Sequence, residues 1–176
     1  MRIVKFIAIG IAVLAVLLVG IGFLLPSAYD VSRSVEIKAP PEKVYALIAD
    51  PREWRKWSVW NQRDPAMKIT YSGPPAGPGA KWAWESKSEG TGEMTFLKAE
   101  ANRSLEYRLA FKDFATTSDG ALSLQPVGPG TRVTWRMTGD VGNHPVRRYF
   151  AALMDRMVGP DFESGLANLK ALAEKS

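Results

Sequence analysis

Twenty consecutive residues, Phe6 to Leu25, are drawn only from Phe, Ile, Ala, Gly, Val and Leu, and no charged residue stands between Lys5 and Asp30. A helix rises about 1.5 Å per residue, so this run reaches about 30 Å, the thickness of a bilayer's hydrocarbon core. Pro26 and Ser27 close the helix, and Tyr29 is placed for the headgroup region. A cleaved signal peptide has an apolar stretch of roughly 7–15 residues and a small-x-small site after it. Here the run is longer, and Pro26 occupies the place two before Ala28. Residues 1–26 are therefore expected to remain as a single transmembrane anchor, with one domain over 27–176. Arg2 and Lys5 precede the run and Asp30 follows it. That bias puts the N-terminus in the cytoplasm and the domain outside the inner membrane, in the periplasm of a Gram-negative cell.

Beyond the anchor about 150 residues remain, close to one ordinary domain and enough for one sizeable core. No linker-like stretch divides them and no internal repeat is visible. The net charge is +5; setting aside Arg2 and Lys5, 21 of the 23 basic residues face 18 acidic ones. This mild excess is spread along the chain, without the basic, aromatic-interleaved run of a nucleic-acid site, so no nucleic-acid partner is expected. With no cysteine, disulfides, thiolate metal sites and a cysteine nucleophile are excluded.

The domain opens with Val31 to Lys38, where Val31, Arg33, Val35 and Ile37 alternate with polar residues, the pattern of a strand with one face inward. Pro40 and Pro41 then open a helix with Val44, Leu47 and Ile48 on its apolar stripe, ended by Asp50-Pro51 and followed by a helical turn over Arg52–Lys56. Strand-like runs follow at Met67–Ser72, Ala80–Ser86, Thr91–Ala99, Ser104–Lys112, Ala115–Gln125 and Thr131–Thr138, with Gly- and Pro-rich turns between them. Val146, Tyr149, Phe150, Leu153, Met154, Met157 and Val158 then recur at helical spacing, Gly159-Pro160 is expected to kink or break the helix, and the pattern resumes through Phe162, Leu166, Leu169 and Leu172. An alternating antiparallel sheet has one face to cover, and the C-terminal helix is the one element long enough to cover it. The fold class is α+β.

Several motifs point to a family. They are Ala39-Pro40-Pro41-Glu42-Lys43-Val44-Tyr45, the Trp-x-x-Trp-Ser-x-Trp pattern of Trp54, Trp57, Ser58 and Trp60, and Asp64-Pro65. Further on come Tyr71-Ser72-Gly73-Pro74, Gly77-Pro78-Gly79-Ala80 with Trp84, Gly130-Thr131-Arg132-Val133-Thr134-Trp135, and the run from Gly159-Pro160-Asp161-Phe162 to Lys170. Over residues 26–175 the chain resembles the START-like or SRPBCC superfamily, and within it the membrane-anchored bacterial group of polyketide cyclase/dehydrase and lipid-transport proteins. The resemblance implies a helix-grip fold: a curved antiparallel sheet wrapped on the long C-terminal helix, here preceded by the transmembrane helix. It implies a hydrophobic small molecule or lipid as partner, held between sheet and helix. It fixes fold rather than activity, because the superfamily hosts many functions on one scaffold.

The catalytic inventory is sparse. The one histidine, His144, lies in a turn beside Pro145, and no phosphate loop, nucleophile elbow or paired-histidine motif is present. No catalytic residue, metal site or cofactor is expected. Glu85, Glu89, Glu93, Asp64 and Arg108 read as surface residues, although a carboxylate aimed into an apolar cavity would have a raised pKa and serve as acid or base. The aromatic residues are more informative, being large apolar surfaces with single directed donors. The candidate ligand-binding residues are Trp57, Trp60, Trp82, Trp84, Tyr107 and Trp135, with Tyr149, Leu153, Met154 and Met157 on the covering helix. The leading expectation is a membrane-anchored binding domain for an apolar ligand. The alternatives are a cyclase or dehydratase-type enzyme using the same cavity, and a protein-interaction module with the cavity collapsed.

Overall fold

The computed structural model describes residues 2–112 and 116–175. Helix α1 spans Arg2–Leu24, and its Ile3–Leu24 stretch is long and apolar enough to cross a membrane. Strand β1 (Ala28–Ile37) follows after three residues, starting three residues before the alternation at Val31 predicts. Then come α2 (Pro41–Ala49), a 3₁₀ turn (Glu53–Lys56), α3 (Val59–Arg63), β2 (Lys68–Ser72), β3 (Lys81–Glu85), β4 (Thr91–Glu100), β5 (Ser104–Phe111), β6 (Thr116–Val127), β7 (Gly130–Asp140) and α4 (Pro145–Glu174). The expected first residue of the sixth strand, Ala115, lies outside the described residues.

The seven strands form one antiparallel sheet in the order β1-β7-β6-β5-β4-β3-β2. The sequence neighbours β2 to β7 pair successively, and β1 closes on β7 with Ala28 opposite Asp140 and Ile37 opposite Thr131. The register slips between Phe96 and Lys98 on β4, a bulge that leaves Leu97 outside. Such a bulge increases local twist and bends the sheet. The loop from Gly73 to Gly79 turns on left-handed backbone at both of those residues (φ +77° and +86°), where a side chain would be strained.

Helix α4 lies chiefly along β1, with further packing on α1 and α2. Its predicted break does not occur: the helix runs through Gly159 and Pro160 for 30 residues. An interior proline removes one backbone hydrogen bond and crowds the carbonyl four residues back. Here the neighbouring surface holds the helix together. Arg33, an inner-face residue of β1, lays its guanidinium where a Cβ on Gly159 would have to go. It bonds Asp155 through Nη1 (2.7 Å) and Glu163 through Nε (2.6 Å), so one arginine bridges the turns on both sides of the proline.

Candidate functional site

The inner face of the sheet is built from rings lying over glycines. Tyr107 stands opposite Gly120, Trp84 opposite Gly92 and Tyr29 opposite Gly139 in the strand register. In each pair a Cβ on the glycine would collide with the facing ring. The missing side chains let these rings lie flat on the sheet and fill the interior from below.

Above them, the Trp-x-x-Trp-Ser-x-Trp segment supplies the roof. Trp54 is the hub, with ring centroids 4.5 Å from Trp57, 5.2 Å from Trp82, 5.6 Å from Tyr107 and 5.7 Å from Trp135. Trp135 in turn stacks flat on Phe162 of α4 at 4.1 Å and meets Trp60 edge-on at 5.8 Å. These separations are contact distances for aromatic pairs. Trp57, Trp82, Trp84, Tyr107 and Trp135 are all buried, and Trp60 is partly buried.

The indole donors are directed. Trp54 donates to the Ile48 carbonyl (2.8 Å), Trp57 to the Leu47 carbonyl (3.0 Å) and Trp135 to the Tyr107 hydroxyl (2.7 Å). The first two pin the 3₁₀ turn to the end of α2. The third makes Tyr107 an acceptor, and its own hydroxyl hydrogen has no acceptor among the described residues. Burial pushes the Tyr107 phenol well above its ordinary value, only partly opposed by the Trp135 hydrogen bond. Tyr107 is thus a neutral donor in an apolar surround.

A polar clasp closes one wall. Trp60 Nε1 donates to Asp161 Oδ2 (3.1 Å), Arg63 pairs with Asp161 on α4, and the Arg63 guanidinium lies 3.7 Å from Glu89 in the β3–β4 turn. Asp64 accepts from Ser86 Oγ at 2.6 Å in the same turn. Together these tie α3 to α4 and to the hairpin. Of the other charged residues singled out in the sequence, Glu93 pairs with Lys81, Arg108 pairs with Asp119, and Glu85 is exposed. His144 sits exposed just before α4 without a side-chain cap bond. Among the described residues no group of three His, Asp or Glu side chains is placed to hold a metal.

The four α4 candidates do not join the ring cluster as a unit. Met154 is partly buried against the core, whereas Leu153 and Met157 are exposed, and Tyr149 donates its hydroxyl to the Leu18 carbonyl of α1 at 2.6 Å. Residues absent from the sequence-derived set are equally central: Trp54, Phe96 and Phe162 are fully buried among the same rings. Trp54 and Phe162 carried a signal, their places in the tryptophan motif and in the run from Gly159 to Lys170; Phe96 showed only its place in a strand-like run. A groove of about 590 Å³ lies elsewhere, at the ends of β1, β6 and β7, and two of its three acidic residues, Asp30 and Asp119, are paired with Arg136 and Arg108.

Comparison with known proteins agrees with this architecture. Residues 28–174 match the family model described as polyketide cyclase/dehydrase and lipid transport. An uncharacterized protein of Mycobacterium tuberculosis is 27% identical over 124 residues, which cover 68% of this chain and 70% of that one. Among solved structures, protein CV1439 from Chromobacterium violaceum superposes with a TM-score of 0.62 at 18% identity, over 84% of this chain and 98% of its own. Ara h 8.0201 gives a TM-score of 0.62 at 11% identity, over 85% and 99% of the two chains. At these identities the structures speak for the fold alone, and the matched span carries the assignment: the chain belongs to the polyketide cyclase/dehydrase and lipid transport family, built on the helix-grip fold.

Proposed function

We propose that this chain is a membrane-anchored binding domain for a lipid or other hydrophobic small molecule, taken up between the sheet and α4. The observation that carries the reading is the aromatic interior with two phenol hydroxyls that donate to no protein acceptor among the described residues: that of Tyr107, which accepts from Trp135, and that of Tyr71, which is buried without a partner. They stand beside the indoles of Trp54, Trp57 and Trp135, which donate to protein acceptors. An apolar wall with a few polar fixing points is the usual make-up of a small-molecule site. Trp57, Trp60, Trp82, Trp84 and Trp135 would form that wall, with Met154 beside it. The rings are in contact, so uptake requires them to part. The clasp of Trp60 and Arg63 on Asp161 is where the wall is held by polar bonds as well as by packing. In this reading α1 keeps the domain beside a pool of membrane-dissolved ligand, which raises the effective concentration.

Native mass spectrometry of the full chain in mild detergent, with a panel of fatty acids and phospholipids, tests the proposal. A bound mass accompanied by a shift in tryptophan emission is expected. Tyr107→Phe should weaken ligands bearing a carbonyl or carboxyl more than plain hydrocarbons. A chain that stays empty across the panel, with unchanged emission, would sink the idea. The close packing of Trp54, Trp57, Trp135 and Phe162 favours one second reading, in which the interior only stabilises and the domain works through its surface as a protein-interaction module.

A further inference from the structure

The N-terminal half of α4 carries apolar side chains that the fold does not bury. Val146 is 52% exposed, Phe150 54%, Leu153 45% and Met157 54%. At 3.6 residues per turn these four fall within about 60° of arc, a single stripe. Arg147 and Arg156, both exposed and without an ion-pair partner among the described residues, flank the stripe at about 90° on either side.

The position of this stripe follows from α1. Pro145 packs on Gly22 so closely that a Cβ there would strike the proline backbone. Arg148 donates to the carbonyls of Phe23 (2.7 Å) and Leu25 (3.2 Å), and Tyr149 to that of Leu18 (2.6 Å). Between Pro145 and Tyr149, α4 thus touches α1 over Leu18 to Leu25 with no steady advance along it. The start of α4 therefore lies across the last turns of α1 and not away from them. Leu18 lies six residues before the end of α1, a depth of about 9 Å. The apolar stretch Ile3–Leu24 has little length to spare, since 22 residues give about 33 Å against a core of about 30 Å. If its last six residues stood clear of the bilayer, the remaining 16 would reach only about 24 Å. With α1 spanning, the Tyr149 contact lies at or below the level where hydrocarbon gives way to headgroups.

We infer that the Val146/Phe150/Leu153/Met157 face of α4 lies in the bilayer interface, as an in-plane amphipathic helix next to the anchor, with Arg147 and Arg156 against anionic headgroups. An apolar stripe edged by arginines and sunk about 5–10 Å is the form such helices take. The occupant is thus the lipid surface surrounding α1, and the inference rests on the reading of α1 as a transmembrane anchor.

The chain has no cysteine, so single-cysteine labelling gives a clean test. Phe150→Cys and Leu153→Cys, with Ala167→Cys on the exposed far half of α4 and Val13→Cys in α1 as references, are labelled with an environment-sensitive fluorophore. The full chain is then reconstituted in phosphatidylcholine vesicles containing a quarter phosphatidylglycerol. Shallow doxyl-labelled lipid should quench the labels at 150 and 153 at least threefold more than the label at 167, and aqueous iodide should do the reverse. Iodide quenching at 150 and 153 equal to that at 167, with Val13→Cys still quenched by lipid, overturns the inference and leaves the anchor standing. Labels shielded from both quenchers assign the stripe to a protein contact and overturn it as well. A Val13→Cys label that lipid does not quench removes the anchor reading and this inference with it.

Discussion

The two halves of α4 have the same secondary structure and opposite surroundings. From Gly159 onward, Phe162, Gly165, Leu166, Leu169 and Ala173 are buried against the sheet, α2 and the tryptophan segment. From Pro145 to Val158 only Ala151 is buried, and the exposed large apolar residues of the helix are all here. The change falls at Gly159-Pro160, where Arg33 fills the space above the glycine and holds one carboxylate from each half. One helix thus serves as the core of the domain over its second half and as a surface element over its first. Stability should reside in the former, and tolerance to substitution in the latter.

The sharpest way to break this contrast is a matched pair of truncations. Phe162→Ala removes the ring stacked on Trp135 and should cost about 3–5 kcal/mol, as full removal of a buried aromatic does. Phe150→Ala, the same change twelve residues earlier, should stay within about 0.5 kcal/mol. Urea unfolding of the full chain in detergent checks both, and equal losses would end the distinction. Next, Gly120→Ala should destabilise by about 1–3 kcal/mol, because the Tyr107 ring occupies the space a Cβ needs. A third effect is alkaline. The folded pKa of Tyr107 lies above its unfolded value of about 10, so its contribution is complete below pH 10 and is lost as the pH rises through the folded value. Tyr107→Phe should therefore flatten the fall in melting temperature above pH 10. The smallest effect is at the junction between the halves. The Arg33 guanidinium holds the Asp155 carboxyl below its ordinary 3.8, so this contribution is present above that value and fades as the pH drops through the lower folded one. Arg33→Met should lower the melting temperature slightly at neutral pH, and the difference from the native chain should shrink below pH 3.8 and vanish once the pH lies under the lower folded value.

Much of the fold was legible because strand alternation and helical spacing are local signals. The Ser104–Lys112 and Thr131–Thr138 alternations fall within β5 and β7 almost residue for residue, apart from Lys112, which lies just past β5. Arg33 took its place among the inward residues of β1, though its partners on α4, more than 120 positions away, leave no trace in local sequence. The five residues of α3 are too few to show periodicity and were missed. Of the kink or break expected at Gly159-Pro160, the break is absent, and Arg33 binds a carboxylate on each side of the proline. At the candidate site, the tryptophan motif announced an aromatic cluster, and the structure gathers Trp57, Trp82, Tyr107 and Trp135 around Trp54, with Trp60 edge-on to Trp135. The pairing of each flat ring with a facing glycine depends on strand register, which composition does not encode. The attachment of Tyr149 to α1 was also invisible, since a tyrosine on a helical stripe reads as core.

The three-residue link between Leu24 and Ala28, together with the seating of Pro145 on Gly22, makes α1 and the domain a geared pair. Adding one residue between Leu18 and Gly22 would turn the upper part of α1 by about 100° relative to the lower and raise it by about 1.5 Å. The Tyr149 bond and the Gly22 seat would then call for two different headings of the domain at once. The number of residues in this last stretch therefore sets the compass bearing of the domain around the helix axis, and a deletion or insertion there acts as a rotation rather than a change of height.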